Sequence, residues 1–292
     1  MSVYNGQRYL DEQLESLATQ TVVQDMILHI RDDGSSDNTV EIIEKWKKKI
    51  NIILYKGKNL GPAMSFWELL MKPEIQADYY AFCDQDDLWD KDKLEIAVTC
   101  LKEDTHFYIC NCRILDETGK IIEKERVKCI SEITIPRLFV SGCAQGCSMV
   151  FTDSLRRIVI EANIQCVPMH DIIIMLYALT FGKVFWDSTP HFGYRLHSNN
   201  VVAKGNKSKF QQLKTTYWNW KNGAKNSMMY VARDMLNNVA DLNEKDKKYL
   251  KWISEYRNSV SCIIHALFVR EFRSIPRKQL RSYWLRMIMK LY

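Results

Sequence analysis

Along the first two hundred positions, apolar residues recur in two alternating rhythms. Short β-rich runs are separated by stretches whose apolar residues lie three and four apart. A short strand ends at Ser2-Val3-Tyr4, and Tyr9, Leu10, Gln13, Leu14 and Leu17 then share one helical face. Asp25–Ile30 reads as a second strand. A helix follows the turn Asp33-Gly34-Ser35-Ser36, capped near Asp37 or Asn38 and ending in Lys47 to Lys49. Asn51–Tyr55 predicts a third strand, Pro62–Met71 a helix, Tyr79–Cys83 a fourth strand and Asp92–Lys102 a helix. This alternation predicts βα units on a mixed, mainly parallel sheet flanked by helices, an α/β fold.

From His106 the rhythm changes. Phe107–Leu115 and Ile121–Val127 flank the turn Asp116-Glu117-Thr118-Gly119 and predict a hairpin. Ser148–Phe151 predicts a strand, Asp153 starts a helix, Asp171–Phe181 is a strongly apolar helix, and Lys183–Trp186 and Phe192–Leu196 predict two closing strands. Beyond Gly205 aromatic and basic residues fall at helical spacing, predicting a helical C-terminal appendage. The expected division is therefore 1–204 and 205–292.

Composition narrows the class. With 292 residues, 47% of them hydrophobic and 26% charged, the chain can bury a core and does not read as disordered. Its longest apolar runs reach only ten residues, against the ~20 that span a bilayer. The N-terminus lacks the basic and apolar regions of a signal peptide, which predicts a cytoplasmic protein. Nine cysteines then read as reduced thiols. Cys110-x-Cys112 and Cys143-x3-Cys147 have no neighbouring Cys or His pair to complete a zinc site.

Charge divides the chain. Residues 207–292 carry 18 Lys and Arg against 6 Asp and Glu, while the preceding 206 residues carry 23 against 29. Arg270, Arg273, Arg277, Lys278, Arg281, Arg286 and Lys290 alternate with Phe272, Leu280, Trp284, Leu285, Met287, Ile288 and Leu291. That basic amphipathic pattern suits either a membrane surface or a helix packed with a solvated basic face. No nucleic-acid-binding module accompanies it, which argues against a nucleic-acid partner.

Candidate chemistry sits at expected strand ends, where open α/β sheets bind ligands. Asp84-Gln85-Asp86-Asp87 follows strand four; three carboxylates in four residues repel one another unless a cation neutralises them, and oxygen ligands suit Mg²⁺ or Mn²⁺. A solvated acidic turn is the plainer reading. Asp32-Asp33-Gly34 follows strand two and is either a turn or a base contact. Asp171, after His170, is either a helix cap or a general base. His197 is either a surface histidine or a ligand to a metal or phosphate.

In order along residues 1 to 203, the segments MSVYNGQRYLDEQLESL, IRDDGSSDNT, GKNLGPAMSF, FCDQDDLWDKDKLE, GCSMVF, MHD and YRLHSNNVV resemble the family 2 glycosyltransferases of GT-A fold. The likeness is to their bacterial rhamnosyltransferase-like members. It implies nucleotide-sugar contacts by Tyr4, Asp33, Asn59, Gly61, Asp84 and Arg195, metal ligation by Asp86 and His197, and Asp171 as the base that deprotonates an acceptor hydroxyl. It further implies a divalent cation, Mg²⁺ or Mn²⁺. The donor would be dTDP-rhamnose, on the likeness of Asp84–Trp89 and Met169–Asp171, with a UDP-sugar as the rival. The acceptor would be a lipid-linked glycan at the inner face of the membrane, unless the chain is an inactive binding subunit. Family members carry more apolar residues before the position of Met1, so a shortened first strand is expected, and Ile172 and Leu196 depart from the family's usual Trp and Gln.

Overall fold

A computed structural model describes residues 1–101, 105–128, 133–142, 144–197 and 228–292, which form two compact units. Met1–Ile130, Ala144–Arg157 and Met169–Ala203 make the first; Ser131–Cys143, Ile158–Pro168 and Lys204–Tyr292 make the second. The boundary expected at 204/205, the helix end at Lys102, Cys143 and residues 198–202 of the last matching segment lie outside the described residues.

In the first unit β1 (Ser2–Val3), β2 (Leu28–Asp32) and β3 (Ile52–Lys56) form a parallel sheet. The second sheet has the order β4 (Tyr79–Ala81), β8 (Met149–Thr152), β6 (Thr105–Leu115), β9 (Lys183–Arg195), β5 (Leu88–Trp89), with β7 (Ile121–Glu123) hairpinned onto β6. Here only β6 and β9 run parallel, so this mixed sheet is antiparallel on both sides of one central parallel pair. Helices α1 (Leu10–Ala18), α2 (Thr39–Trp46), α3 (Pro62–Leu70), α4 (Lys93–Cys100) and α7 (His170–Phe181) belong to this unit. Leu10, Gln13, Leu14 and Leu17 are the buried stripe of α1, as their spacing requires. They join Ile30, Ile43, Trp46, Ala97, Tyr108 and Phe192 in one core, in keeping with the expected α/β class.

Three elements differ from the sequence reading. The two closing strands are one 13-residue strand, β9, because the turn-like Asp187–Pro190 stretch is carried past β6 at register shifts on either side of Asn111, which lies opposite Pro190. A bulge is where a strand tolerates proline. Leu88–Trp89 forms a short edge strand inside what reads as a loop, and the second hairpin arm stops at Glu123. The first strand is two residues long and pairs only with Arg31 and Asp32. Beside it an apolar cavity of about 620 Å³ opens, lined by Leu28, Tyr79, Ala81, Val150 and Phe151.

Helix α6 (Asp153–Glu161) follows β8. In the second unit α5 (Ile135–Ser141) accompanies α8 (Met228–Asn238), α9 (Glu244–Glu255), α10 (Val260–Leu267) and α11 (Arg277–Ile288), and no strand occurs among its described residues. Asn243 and Ser259 cap α9 and α10 by accepting from the Asp246 and Cys262 amides. The unit is closed by the C-terminal residue: Tyr256 Oη donates to the Tyr292 carbonyl and accepts from its amide, both at 2.8 Å, and Tyr292 Oη donates to the Phe139 carbonyl.

Candidate functional site

Every candidate residue belongs to the first unit, and most converge on the turns that follow β1, β2 and β4. The first turn is held from both neighbours. Asn5, at φ 46°, donates its amide to Ser35 Oγ (2.9 Å) and accepts from the Ser36 amide (2.8 Å). Gln85 accepts from the Tyr4 amide at 2.9 Å and donates to the Tyr4 carbonyl at 3.2 Å. A Cβ on Gly6 would lie 2.5 Å from Gln85 Oε1, so that staple requires glycine. The Tyr4 ring is left 48% exposed at the rim.

Asp33 is buried, and its carboxylate accepts from the Leu60 amide (2.8 Å), the Gly61 amide (2.9 Å) and the Arg31 guanidinium. Arg31, which sequence reasoning passed over, is itself buried and also donates to Glu68, Ser65 Oγ and the Lys58 carbonyl. Together they clamp the Gly57–Gly61 loop. Gly61 takes φ 79° ahead of Pro62, which starts α3 with its ring at the position where a missing N–H costs least. Asn59 stands exposed on that loop.

The acidic turn is built differently. Asp84 is half-buried, and burial and then the neighbouring Asp86 push its carboxyl up to about 7. Asp171 adds to the same effect, so the base candidate on α7 lies within electrostatic reach of the turn. Asp87 is buried with neither carboxylate oxygen hydrogen-bonded among the described residues, and burial, Asp84 and Asp86 hold it well above the usual carboxylate range. Its nearby counter-charge is Lys93, fully buried, whose ammonium lies 3.5 Å from the centre of the Trp89 ring and makes no hydrogen bond. Ligand atoms of Asp84, Asp87 and Cys147 lie within 4.8 Å of one another.

The other half of the site comes from the end of β9. His197 Nε2 is 2.7 Å from Asp86 Oδ2, and its ring packs against Tyr9 with centres 4.9 Å apart. Arg195 is buried behind the turn, donating to the Asp86 carbonyl (3.1 Å), the Glu117 carbonyl (3.1 Å) and Glu12 (2.6 Å), with its guanidinium 4.7 Å from the Tyr9 ring centre.

Asp171 sits in the first turn of α7, one place beyond His170; Met169, not Asp171, is the residue that caps the helix. Burial pushes its carboxyl up to about 6, against the pull of the Ile172 amide at 2.8 Å. His170 is buried between Phe66 (4.2 Å, stacked) and Phe82 (4.5 Å, edge-on), and burial lowers it to about 3, so it is a neutral spacer. A Cβ on Gly146 would come 2.9 Å from His170 Nε2, so the segment before β8 approaches closely only because it is glycine.

These carboxylates test whether a divalent cation fits. A cluster with orphaned buried oxygens and an Asp84 proton held to about 7 is an arrangement deficient in positive charge, as an oxygen-liganded cation site is without its ion. The Cys147 thiol beside them is pushed well above its usual value by burial and then by Asp87. Cys110 and Cys112 are buried thiols in β6, both raised by burial. The apolar cavity beside β1 is lined by none of Asp84, Asp86, Asp87 or Asp171.

Comparison with known proteins agrees with this architecture. The profile of glycosyl transferase family 2 matches residues 1–159. A dTDP-rhamnosyl transferase of Shigella flexneri is 30% identical over 73% of this chain and 78% of its own length. An abequosyltransferase of Salmonella typhimurium is 34% identical over 40% of this chain and 34% of its own. Among solved structures, S. aureus TarS in complex with UDP-GlcNAc superposes with a TM-score of 0.65 at 17% identity, over 99% of this chain and 78% of that one. A Pyrobaculum calidifontis mannosyltransferase in complex with GDP-Man and Mn²⁺ gives 0.55 at 13%, over 99% and 86%. With a family profile across more than half its length, a relative matched over most of both chains and a GT-A fold, the chain belongs to glycosyl transferase family 2.

Proposed function

We propose that the protein is an inverting, divalent-cation-dependent glycosyltransferase. In this reading it moves L-rhamnose from dTDP-rhamnose to a hydroxyl of a lipid-linked or polysaccharide acceptor, in bacterial surface-glycan synthesis at the cytoplasmic face of the membrane. One observation carries the chemistry: a carboxylate cluster at the end of β4, short of positive charge, within electrostatic reach of a single half-buried carboxylate, Asp171. The donor preference leans on likeness to the Shigella flexneri rhamnosyl transferase.

Tyr4, Asn59 and Gly61 form the nucleoside wall in this reading. Asp33 holds the loop with three of a carboxylate's roughly four lone-pair sites, which leaves one for the imide N–H of a pyrimidine. Asp86 and His197 would hold the cation, with Asp84 turned to the sugar nucleotide. Bound there, a divalent ion supplies Lewis-acid stabilisation for the charge that develops on the leaving diphosphate. Arg195, expected from the resemblance to touch the diphosphate, serves through its bond to the Asp86 carbonyl, keeping the turn in place from behind. Asp171, at about 6, is ionised at neutral pH yet basic enough to take the acceptor's proton as the hydroxyl attacks from the face opposite the leaving group. No protein nucleophile is needed for a single displacement.

Calorimetric titration of dTDP, UDP and GDP, each with and without Mn²⁺, on this chain and on Asp86→Ala tests the reading. Mn²⁺-dependent dTDP binding that the variant loses is the expected result. UDP preferred over dTDP would move the donor to a UDP-hexose or UDP-HexNAc. Nucleotide binding indifferent to Mn²⁺ and to Asp86 would overturn the cation site, and tight binding without any transfer would favour an inactive subunit.

A further inference from the structure

Helices α10 and α11 of the second unit expose apolar side chains that a water-facing surface does not require. On α10, Val260, Ile264 and, just past its end, Phe268 follow one another at a spacing of four; on α11, Leu285 and Ile288 lie three apart, and Met289, just past its end, is four from Leu285. Phe268 is 76% exposed and Ile288 63%. The two helices are tied side by side, Tyr283 Oη donating to the Ala266 carbonyl at 2.9 Å and Trp284 Nε1 to the Leu267 carbonyl at 3.2 Å. Phe268 lies 6.5 Å from the Trp284 ring, which brings the end of the α10 row against α11 next to Leu285. Single exposed apolar residues are ordinary; a contiguous ridge marks an interaction site.

Charge identifies the occupant. Around the ridge Arg270, Arg273, Arg277, Lys278, Arg281 and Lys290 are exposed, and between Val260 and Tyr292 the one acidic residue is Glu271, which is paired with Lys245. Arginine and lysine beside aromatic and aliphatic anchors match an anionic leaflet, whose headgroups pair with the cations while the ridge enters the headgroup–acyl boundary. Among the described residues no helix is long and apolar enough to cross a membrane, so this is surface attachment.

We propose that α10 and α11 form a two-helix membrane-docking face, with Phe268, Ile264, Leu285 and Ile288 inserting and the surrounding arginines and lysines binding anionic headgroups. Attachment belongs to a helix pair; the basic tail alone does not account for it. The proposal stands apart from the transferase reading, since none of these residues lines that site.

Co-sedimentation with vesicles of phosphatidylcholine, alone or mixed with phosphatidylglycerol, decides it. The full chain should pellet with the mixed vesicles only, and release as salt is raised. Phe268→Ala with Ile288→Ala should lower partitioning about tenfold or more, and neutralising Arg277, Lys278 and Arg281 should lower it about fivefold per cation. Both variants should melt like the parent and bind nucleotide and Mn²⁺ as it does. Equal pelleting with neutral vesicles, binding unchanged in the double variant, or no pelleting while the chain self-associates through these side chains would each overturn it.

Discussion

Two carboxylate turns at strand ends, Asp32-Asp33 at the end of β2 and Asp84-Gln85-Asp86-Asp87 after β4, look alike in sequence and are treated in opposite ways by the fold. Around Asp33 the protein supplies a guanidinium and two amides, so a buried charge is compensated internally and does structural work on the Gly57–Gly61 loop. Around Asp84 and Asp87 it supplies the Cys147 thiol and the Lys93 ammonium, which itself makes no hydrogen bond, and among the described residues leaves both Asp87 oxygens without an N–H or O–H donor. A carboxylate already neutralised positions things; a group of carboxylates in mutual repulsion favours a cation, which is what the proposed function places there. The difference lies in which donors the chain folds around each turn.

The comparison can be broken most directly at the chemistry. Asp171→Asn keeps the shape of the first turn of α7 but cannot take a proton, so transfer measured by donor turnover should fall by about 10³-fold while nucleotide still binds. Loss confined to a factor of two would remove Asp171 from the reaction. On the proposed function, the same carboxyl fixes the pH profile of the parent. It acts as a base only when ionised, so the rate should fall as pH drops through about 6 and level off above it.

Next come the stabilities of the two turns, which should respond with opposite signs. Asp33→Ala leaves the buried Arg31 charge short of a partner and two amides unpaired, and should cost about 3 kcal/mol in urea unfolding. Asp84→Asn removes repulsion and should raise the melting temperature at pH 8. The sign follows from linkage: Asp84 and Asp171 are raised to about 7 and about 6 from 3.8, so their contribution is full below pH 3.8 and is lost as pH rises through those values. Millimolar Mn²⁺ at pH 8 should restore part of it, by a few degrees, in the parent and not in Asp86→Ala. A parent insensitive to Mn²⁺ would mean that the acidic turn is compensated after all. Smallest is Gly61→Ala: no atom lies within 4 Å of the added Cβ, so only the positive φ is strained, at about 1 kcal/mol, and melting should shift by a few degrees.

What the chain alone determined is what depends on local order. Helical stripes such as Leu10, Leu14 and Leu17, and the residue types at Asp84, Asp86 and Asp171, were legible because periodicity and strand-end chemistry are properties of short segments. Seven matching segments in order were enough to name a family. The tertiary structure decided everything that joins distant segments. It carried one strand through Pro190 by offering Asn111 opposite a bulge, since neither half of that bulge is visible in the other's sequence. It brought His197 to Asp86 across 111 residues, put Cys147 and Lys93 beside Asp87, and packed Arg31 against Asp33 and Glu68. Whether a carboxylate is neutralised or left in repulsion with its neighbours depends on donors contributed from elsewhere in the chain, because Coulomb energy depends on separation and burial in space and not on spacing in sequence.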